Sequence, residues 1–207
     1  SFSVGLFSVL FISFFLMKDR KILKKGLLLF IPNKTKARFT TSLETINNLL
    51  SRYFIGLIFQ ISILFILYTI LLLIFDINNA IVIAFLCALL NLIPYVGPLI
   101  GAVIMFVLSM TSNIGQDFQT IILPTTSYVM IGYLIAQLID NFISQPIIFS
   151  KTTKSHPLEI FLIIIIGGLL FGITGMITAV PLYTALKVIL KEFLSENEIV
   201  KTLTKDL

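Results

Sequence analysis

Residues Asn91–Gly101 read NLIPYVGPLIG, with two prolines and two glycines inside eleven residues. Long apolar runs flank the segment on both sides. Proline removes a backbone donor and glycine weakens a helix, so the segment cuts one hydrophobic region into two. Asn79 to Ile93 is 15 residues, and Pro98 to Ser112 is another 15. A 15-residue helix is about 22 Å long, shorter than a hydrocarbon core of about 30 Å. The pattern recurs near the other end, where Pro157–Phe171 and Met176–Leu190 flank Gly172-Ile173-Thr174-Gly175. Two half-helices joined by a break at membrane depth read as a re-entrant hairpin. Two short complete crossings per pair give the same parity of charge across the membrane.

The surrounding composition makes lipid the solvent. Of 207 residues, 57% are hydrophobic and 12% charged, against about 25% charged in soluble domains. The mean hydropathy is +1.06. The expected fold is therefore all-α, a polytopic transmembrane helical protein with two broken, re-entrant-like hairpins. The lone cysteine, Cys87, lies in an apolar run and excludes an internal disulfide or a cysteine metal cluster.

Basic residues orient the chain. Residues 1–17 read as the end of a transmembrane helix in a chain lacking N-terminal spans. Residues 18–52 carry nine Lys or Arg, Lys34 among them, against Asp19 and Glu44, which marks the cytoplasmic side. Phe39, Leu43, Ile46, Leu49 and Leu50 recur there at helical spacing. They predict an amphipathic helix over 34–52 lying on the membrane surface or on a neighbouring subunit. A basic loop framed by spans argues against nucleic acid as a partner. Tyr53–Phe75 is a full-length span, and Asp76–Asn79 and Thr111–Gln119 lack Lys and Arg, as external turns do. If 77–112 dips in and returns, Lys151 and Lys154 fall inside, and Lys187, Lys191, Lys201 and Lys205 follow. Residues 53–190 are thus the expected transport domain and 191–207 a cytoplasmic tail.

The breaks and one polar face supply the candidate site. Non-helical backbone at membrane depth is tolerated where protein buries it or a wet cavity solvates it. Paired interrupted segments point to a transporter's binding site. The first break offers Asn91, Pro94, Tyr95, Gly97, Pro98 and Gly101, and the second Gly168, Gly172 and Gly175. Gly97-xxx-Gly101 and Gly168-xxx-Gly172 have the spacing that lets helices approach closely. Between the breaks, Gln137, Asp140, Asn141, Ser144 and Gln145 recur at i, i+3, i+4, i+7 and i+8, with Thr126, Met130 and Tyr133 extending the stripe. A carboxylate within a span costs about 2.5–3.5 kcal/mol on insertion scales and usually serves a pathway or a pair. Asp140 is thus the candidate proton or cation carrier, with Asn141 beside it as a substrate ligand. Asp140 near the interface, hydrated or paired with Lys151 or Lys154, is the structural alternative. Gln60, alone in its span, reads as an interhelical hydrogen bond, and His156 as an interfacial loop residue. No nucleophile–base set, phosphate loop or metal-ligand spacing occurs, so the sequence calls for no enzyme, cofactor or metal.

LIPYVGPLIGA, DNFISQPIIFS and HPLEIFLIIIIGGLLFGITGMITAVPLYTALKVI follow one another in an order that resembles the autoinducer-2 exporter family of permeases (PerM type). The resemblance covers most of the chain. It implies a multi-pass protein of the bacterial inner membrane, homo-oligomeric, that exports a small polar signalling molecule. Some relatives are linked instead to sodium–proton exchange. The function expected from residues and resemblance together is small-solute transport by alternating access. A sodium (or lithium)/proton antiporter and a channel or facilitator are the alternatives.

Overall fold

A computed structural model describes residues 2–33, 35–144, 155–194 and 197–204. Lys34, Gln145, Lys151, Lys154 and Lys205, used in the sequence reading, lie outside the described residues. Every regular element among those described is helical, and the protein is an all-α polytopic membrane protein. It divides into two units, Ser1–Glu44 and Thr45–Leu207.

The first unit holds α1 (Phe2–Lys18) and α2 (Arg20–Leu29). Phe7, Phe11 and Phe15 meet at i, i+4 spacing along α1, the first pair stacked and the second tilted, with ring centroids 5.9 and 4.7 Å apart. Lys24 forms an ion pair with Glu44 at 3.3 Å.

The division falls inside α3 (Lys36–Ile74), a single helix of 39 residues. The amphipathic stretch expected as a separate surface helix is thus the beginning of the span helix. Neither proline nor glycine occurs between Lys36 and Ile55, so the change in composition at Arg52 brings no change in backbone.

The second unit is built on the membrane part of α3. A turn follows α3, and α4 (Ala80–Leu90) and α5 (Val96–Ser112) form the first hairpin. At 1.5 Å per residue these arms are about 16 and 25 Å long. Asn78 closes the mouth: its backbone N–H donates to Ser112 Oγ at 2.7 Å and its side-chain amide to Ser112 O at 3.1 Å. Chain entry and exit are therefore on the same side. A π turn, Phe118–Ile122, opens the next helix, α6 (Leu123–Ile139), and a second, Asp140–Ser144, closes it. The Asp117 carboxylate caps the start by accepting from the Thr120 N–H and hydroxyl at 2.8 and 2.7 Å, which holds its pKa below the usual value.

α7 (Pro157–Phe193) has the length of a long span, but it is folded back on itself. Gly172 is non-helical, with φ 62° and ψ −145°. Lys187 Nζ lies 3.2 Å from Glu159 Oε2, 28 residues away, and Tyr183 donates to the same oxygen at 2.9 Å. A straight helix would separate residues 159 and 187 by about 42 Å. Pro157–Phe171 and Ile173–Phe193 are thus the antiparallel arms of a second hairpin. The described chain ends with α8 (Glu198–Leu203).

Two clusters make the core of this unit. Leu64, Tyr68 and Leu72 of α3 pack on Ala84, Cys87, Ala88 and Met105 of the first hairpin and on Val129, Tyr133 and Ala136 of α6. Nearer the start of the span, Tyr53 and Leu57 join Ile93, at the tip of the first hairpin, to Ile160, Ile164, Ala179 and Val180 of the second.

Candidate functional site

α3 and α6 run antiparallel. Phe75 stacks on Tyr128 and Tyr68 on Tyr133, and Gly132 lies against Leu71. Following that register brings Gln60 to Asp140. Gln60 Nε2 donates to Asp140 Oδ2 at 2.7 Å, and Asp140 is 1% exposed. Gln60 lies seven residues beyond Tyr53, about 10 Å along the helix. Its placement matches the interhelical bond expected of it.

Two turns further along α3 the polar groups converge. Gln137 Nε2 lies 2.7 Å from Tyr68 Oη, 3.2 Å from Asn91 Oδ1 and 3.2 Å from Tyr133 Oη, with both tyrosine oxygens placed as acceptors. Tyr133 donates to Pro98 O at 2.7 Å, and Asn91 Nδ2 donates to Cys87 O at 2.9 Å. Asn91 and Gln137 are 3% and 6% exposed. One residue of α6 thus holds the last residue before the break, and its neighbour a turn away holds the first turn after it. Among the described residues, Gln60 Oε1, Gln137 Oε1 and Thr126 Oγ1 are buried without a hydrogen-bond partner. Unsatisfied buried acceptors are costly and uncommon, so these oxygens mark where a donor or a cation would be stabilised.

The break is tightly built. Tyr95 has φ 65° and ψ −49°, a backbone state that costs about 1–3 kcal/mol and clusters at functional sites. Its half-exposed ring meets Phe161 of the second hairpin edge-on at 5.7 Å. Gly97 packs against the Leu90 carbonyl, and Gly101 faces Tyr133 Oη and Cys87 O. Pro94 is buried and Pro98 half-buried.

Other expected site residues stand elsewhere. Asn141 is exposed, because the buried face of α6 runs through Tyr133, Ala136, Asp140 and Ser144 and leaves Asn141 at its edge. Gly172 forms the tip of the second hairpin, exposed between Phe171 and Ile173, with nothing within 4 Å of an added Cβ. The close contact in that hairpin joins Gly167 to Gly175, while Gly168 faces Met176. The Gly168–Gly172 spacing therefore makes no helix contact of its own. The first break meets the arms of the second hairpin, and not its tip. Sequence reasoning placed Gln137 on the polar face without giving it a binding role and missed Tyr68, although Gln60, Leu64 and Tyr68 share one face of α3 at i, i+4, i+8.

Residues 1–195 match the family model described as AI-2E family transporter. The chain is 30% identical over 184 residues to the Bacillus subtilis protein named "Putative transport protein YrrI", covering 89% of this chain and 50% of that protein. It is 28% identical to B. subtilis "Putative transport protein YueF" over 87% of this chain and 46% of that one. A shorter stretch of 58 residues is 40% identical to "Putative permease PerM" of Escherichia coli K12, covering 28% of this chain and 16% of that protein. The chain thus spans about half the length of the curated relatives it matches over most of its own residues. No solved structure matches it significantly.

Proposed function

The chain belongs to the AI-2E transporter family, and from that premise we propose that its second unit moves small polar solutes by alternating access. The observation that carries this reading is a buried polar column of two hydrogen-bonded sets, Gln60 with Asp140 and, a turn away on the facing helix, Gln137 with Asn91, Tyr68 and Tyr133. It runs through the membrane part of the fold and is bonded to both sides of a helix break. Asn91, Tyr95, Gly97, Pro98 and Gly101 form the moving element, Gln137 and the two tyrosines its polar contacts, and Asp140 the group that takes up a proton or cation. Opening the column exchanges these internal bonds for bonds to solute, so a solute rich in hydroxyl or carbonyl groups, such as an autoinducer-2-like molecule, fits it chemically. Residues 53–190 constitute the transport domain, the flanking 18–52 and 191–207 are cytoplasmic, and the protein works as a homo-oligomer in the bacterial cytoplasmic membrane.

A sodium or lithium/proton antiporter is the second reading. The buried side-chain oxygen of Gln60, whose amide bonds the Asp140 carboxylate, favours it, because hard cations take oxygen donors.

Flux into proteoliposomes holding the full-length protein tests both. Internal pH is recorded while autoinducer, sodium or lithium is added, with Asp140→Asn beside wild type. The proposal expects saturable, gradient-dependent solute flux whose proton movement disappears in the variant. Sodium- or lithium-driven proton movement without solute selects the antiporter. Unsaturated flux indifferent to Asp140 and to the gradient overturns both in favour of a pore.

A further inference from the structure

The transport reading leaves the basic segment after α1 unused. Five cations, Lys18, Arg20, Lys21, Lys24 and Lys25, stand against a single carboxylate, Asp19, within eight residues. Four of them belong to α2. At 100° per residue, Lys21, Lys24 and Lys25 share an arc of about 100°, and Ile22, Gly26 and Leu29 share an adjoining arc of about 60°. Both arcs are open. Ile22, Leu29 and the following Phe30 are 68%, 82% and 89% exposed. Lys21 and Lys25 are exposed too, whereas Lys24 is half-buried and tied to Glu44.

We infer that α2 is an anionic-phospholipid docking helix. It lies in the headgroup plane of the cytoplasmic leaflet, with Ile22, Leu29 and Phe30 in the acyl boundary and Lys21 and Lys25 on lipid phosphates. A short helix with a basic arc beside an apolar one binds an interface in this way. Clusters of four to eight cations just inside a span attract acidic headgroups. The charge pattern selects the occupant. A second copy of α2 docked on the same apolar face would bring the two sets of lysines together, whereas a leaflet of acidic lipid covers the apolar face and neutralises the cations at once. The Lys24–Glu44 pair fixes the rotation of α2 against the start of α3 within the same unit. In-plane docking thereby passes from the structure expected of residues 34–52 to the helix before it.

The test places an environment-sensitive fluorophore on a thiol introduced by Ile22→Cys in the full-length protein. The native Cys87 is buried in the core, and the protein without the new cysteine controls for labelling there. The protein is reconstituted in phosphatidylcholine vesicles with and without phosphatidylglycerol, and quenching by brominated acyl chains reports immersion. Each cation near an acidic surface shifts docking about five-fold, so Lys21→Gln with Lys25→Gln lowers the docked-to-lifted ratio about thirty-fold. The expected result is quenching that requires phosphatidylglycerol, fades with salt and is lost in the double variant. Equal quenching in both lipids, insensitive to the two lysines, overturns the inference and leaves only apolar insertion. Absence of quenching together with crosslinking between the introduced thiols of two copies overturns it in favour of self-association.

Discussion

Gly97→Ala addresses the geometry on which the transport reading rests. A Cβ built on Gly97 falls 2.5 Å from the Leu90 carbonyl carbon, closer still to its oxygen, and 3.0 Å from Asn91 N. These are backbone atoms, so no rotamer change relieves the clash. Ordinary contact between carbons begins near 3.5 Å, and the two arms must therefore part by about 1 Å. That shift strains the 2.7 Å bond from Tyr133 to Pro98 O in the first turn after the break. Overpacking costs about 1–3 kcal/mol, and loss of that bond adds about 1 kcal/mol. For a chain of this size the sum lowers the melting temperature by about 5–10 °C. Thermal unfolding in detergent, followed by flux in liposomes, measures both consequences. Gly5→Ala is the control, because an added Cβ there meets nothing within 4 Å. Gly101→Ala is the informative neighbour. Its Cβ falls 2.8 Å from Tyr133 Oη, a side-chain atom that can move, so it displaces the hydroxyl at smaller cost to stability yet impairs flux. A Gly97→Ala protein that melts and transports like wild type would refute the tight-break geometry and the clamp built on it.

Three further substitutions test other parts of the structure. Gln137→Leu removes the amide that Tyr68, Asn91 and Tyr133 share; at about 0.6 kcal/mol for an average polar contact in a membrane interior it costs about 1–2 kcal/mol and abolishes solute flux, with Gln137→Asn expected to restore little because it is shorter. Gly172→Ala puts a side chain at φ 62°, ψ −145°, costing about 1–3 kcal/mol by strain alone, since nothing surrounds the tip; a differential melt against wild type reads it. Glu159→Ala removes the carboxylate 3.2 Å from Lys187, itself 2% exposed, and costs about 1–3 kcal/mol because the one-third-exposed Glu159 is partly screened by solvent, whereas Glu159→Ala combined with Lys187→Met recovers most of the loss in the same melt.

Punctuation carries far through the chain, and tertiary pairing does not. Pro94, Gly97 and Pro98 announce the first break because they act on their own backbone, and Gly172 does so for the second. Both hairpins are legible for that reason, as is the polar face of α6, since Tyr133, Gln137, Asp140 and Ser144 share a helix. The glycines divide differently. Gly168 and Gly172 form a stripe only if their helix continues, and a turn at Gly172 ends it. A hairpin pairs residues symmetrically about its tip, so Gly167 meets Gly175 across the turn, a relation absent from any single-helix spacing. Tyr68 is hidden for the converse reason. A tyrosine in an apolar span is ordinary until α6 arrives antiparallel and places Gln137 over its hydroxyl. The register that joins Gln60 to Asp140 joins Phe75 to Tyr128 as well, so the position of the carboxylate is set by packing along the whole of α3. A substitution that shifts that register, such as Gly132→Val against Leu71, must therefore disturb Asp140 from two turns away, without altering a polar residue.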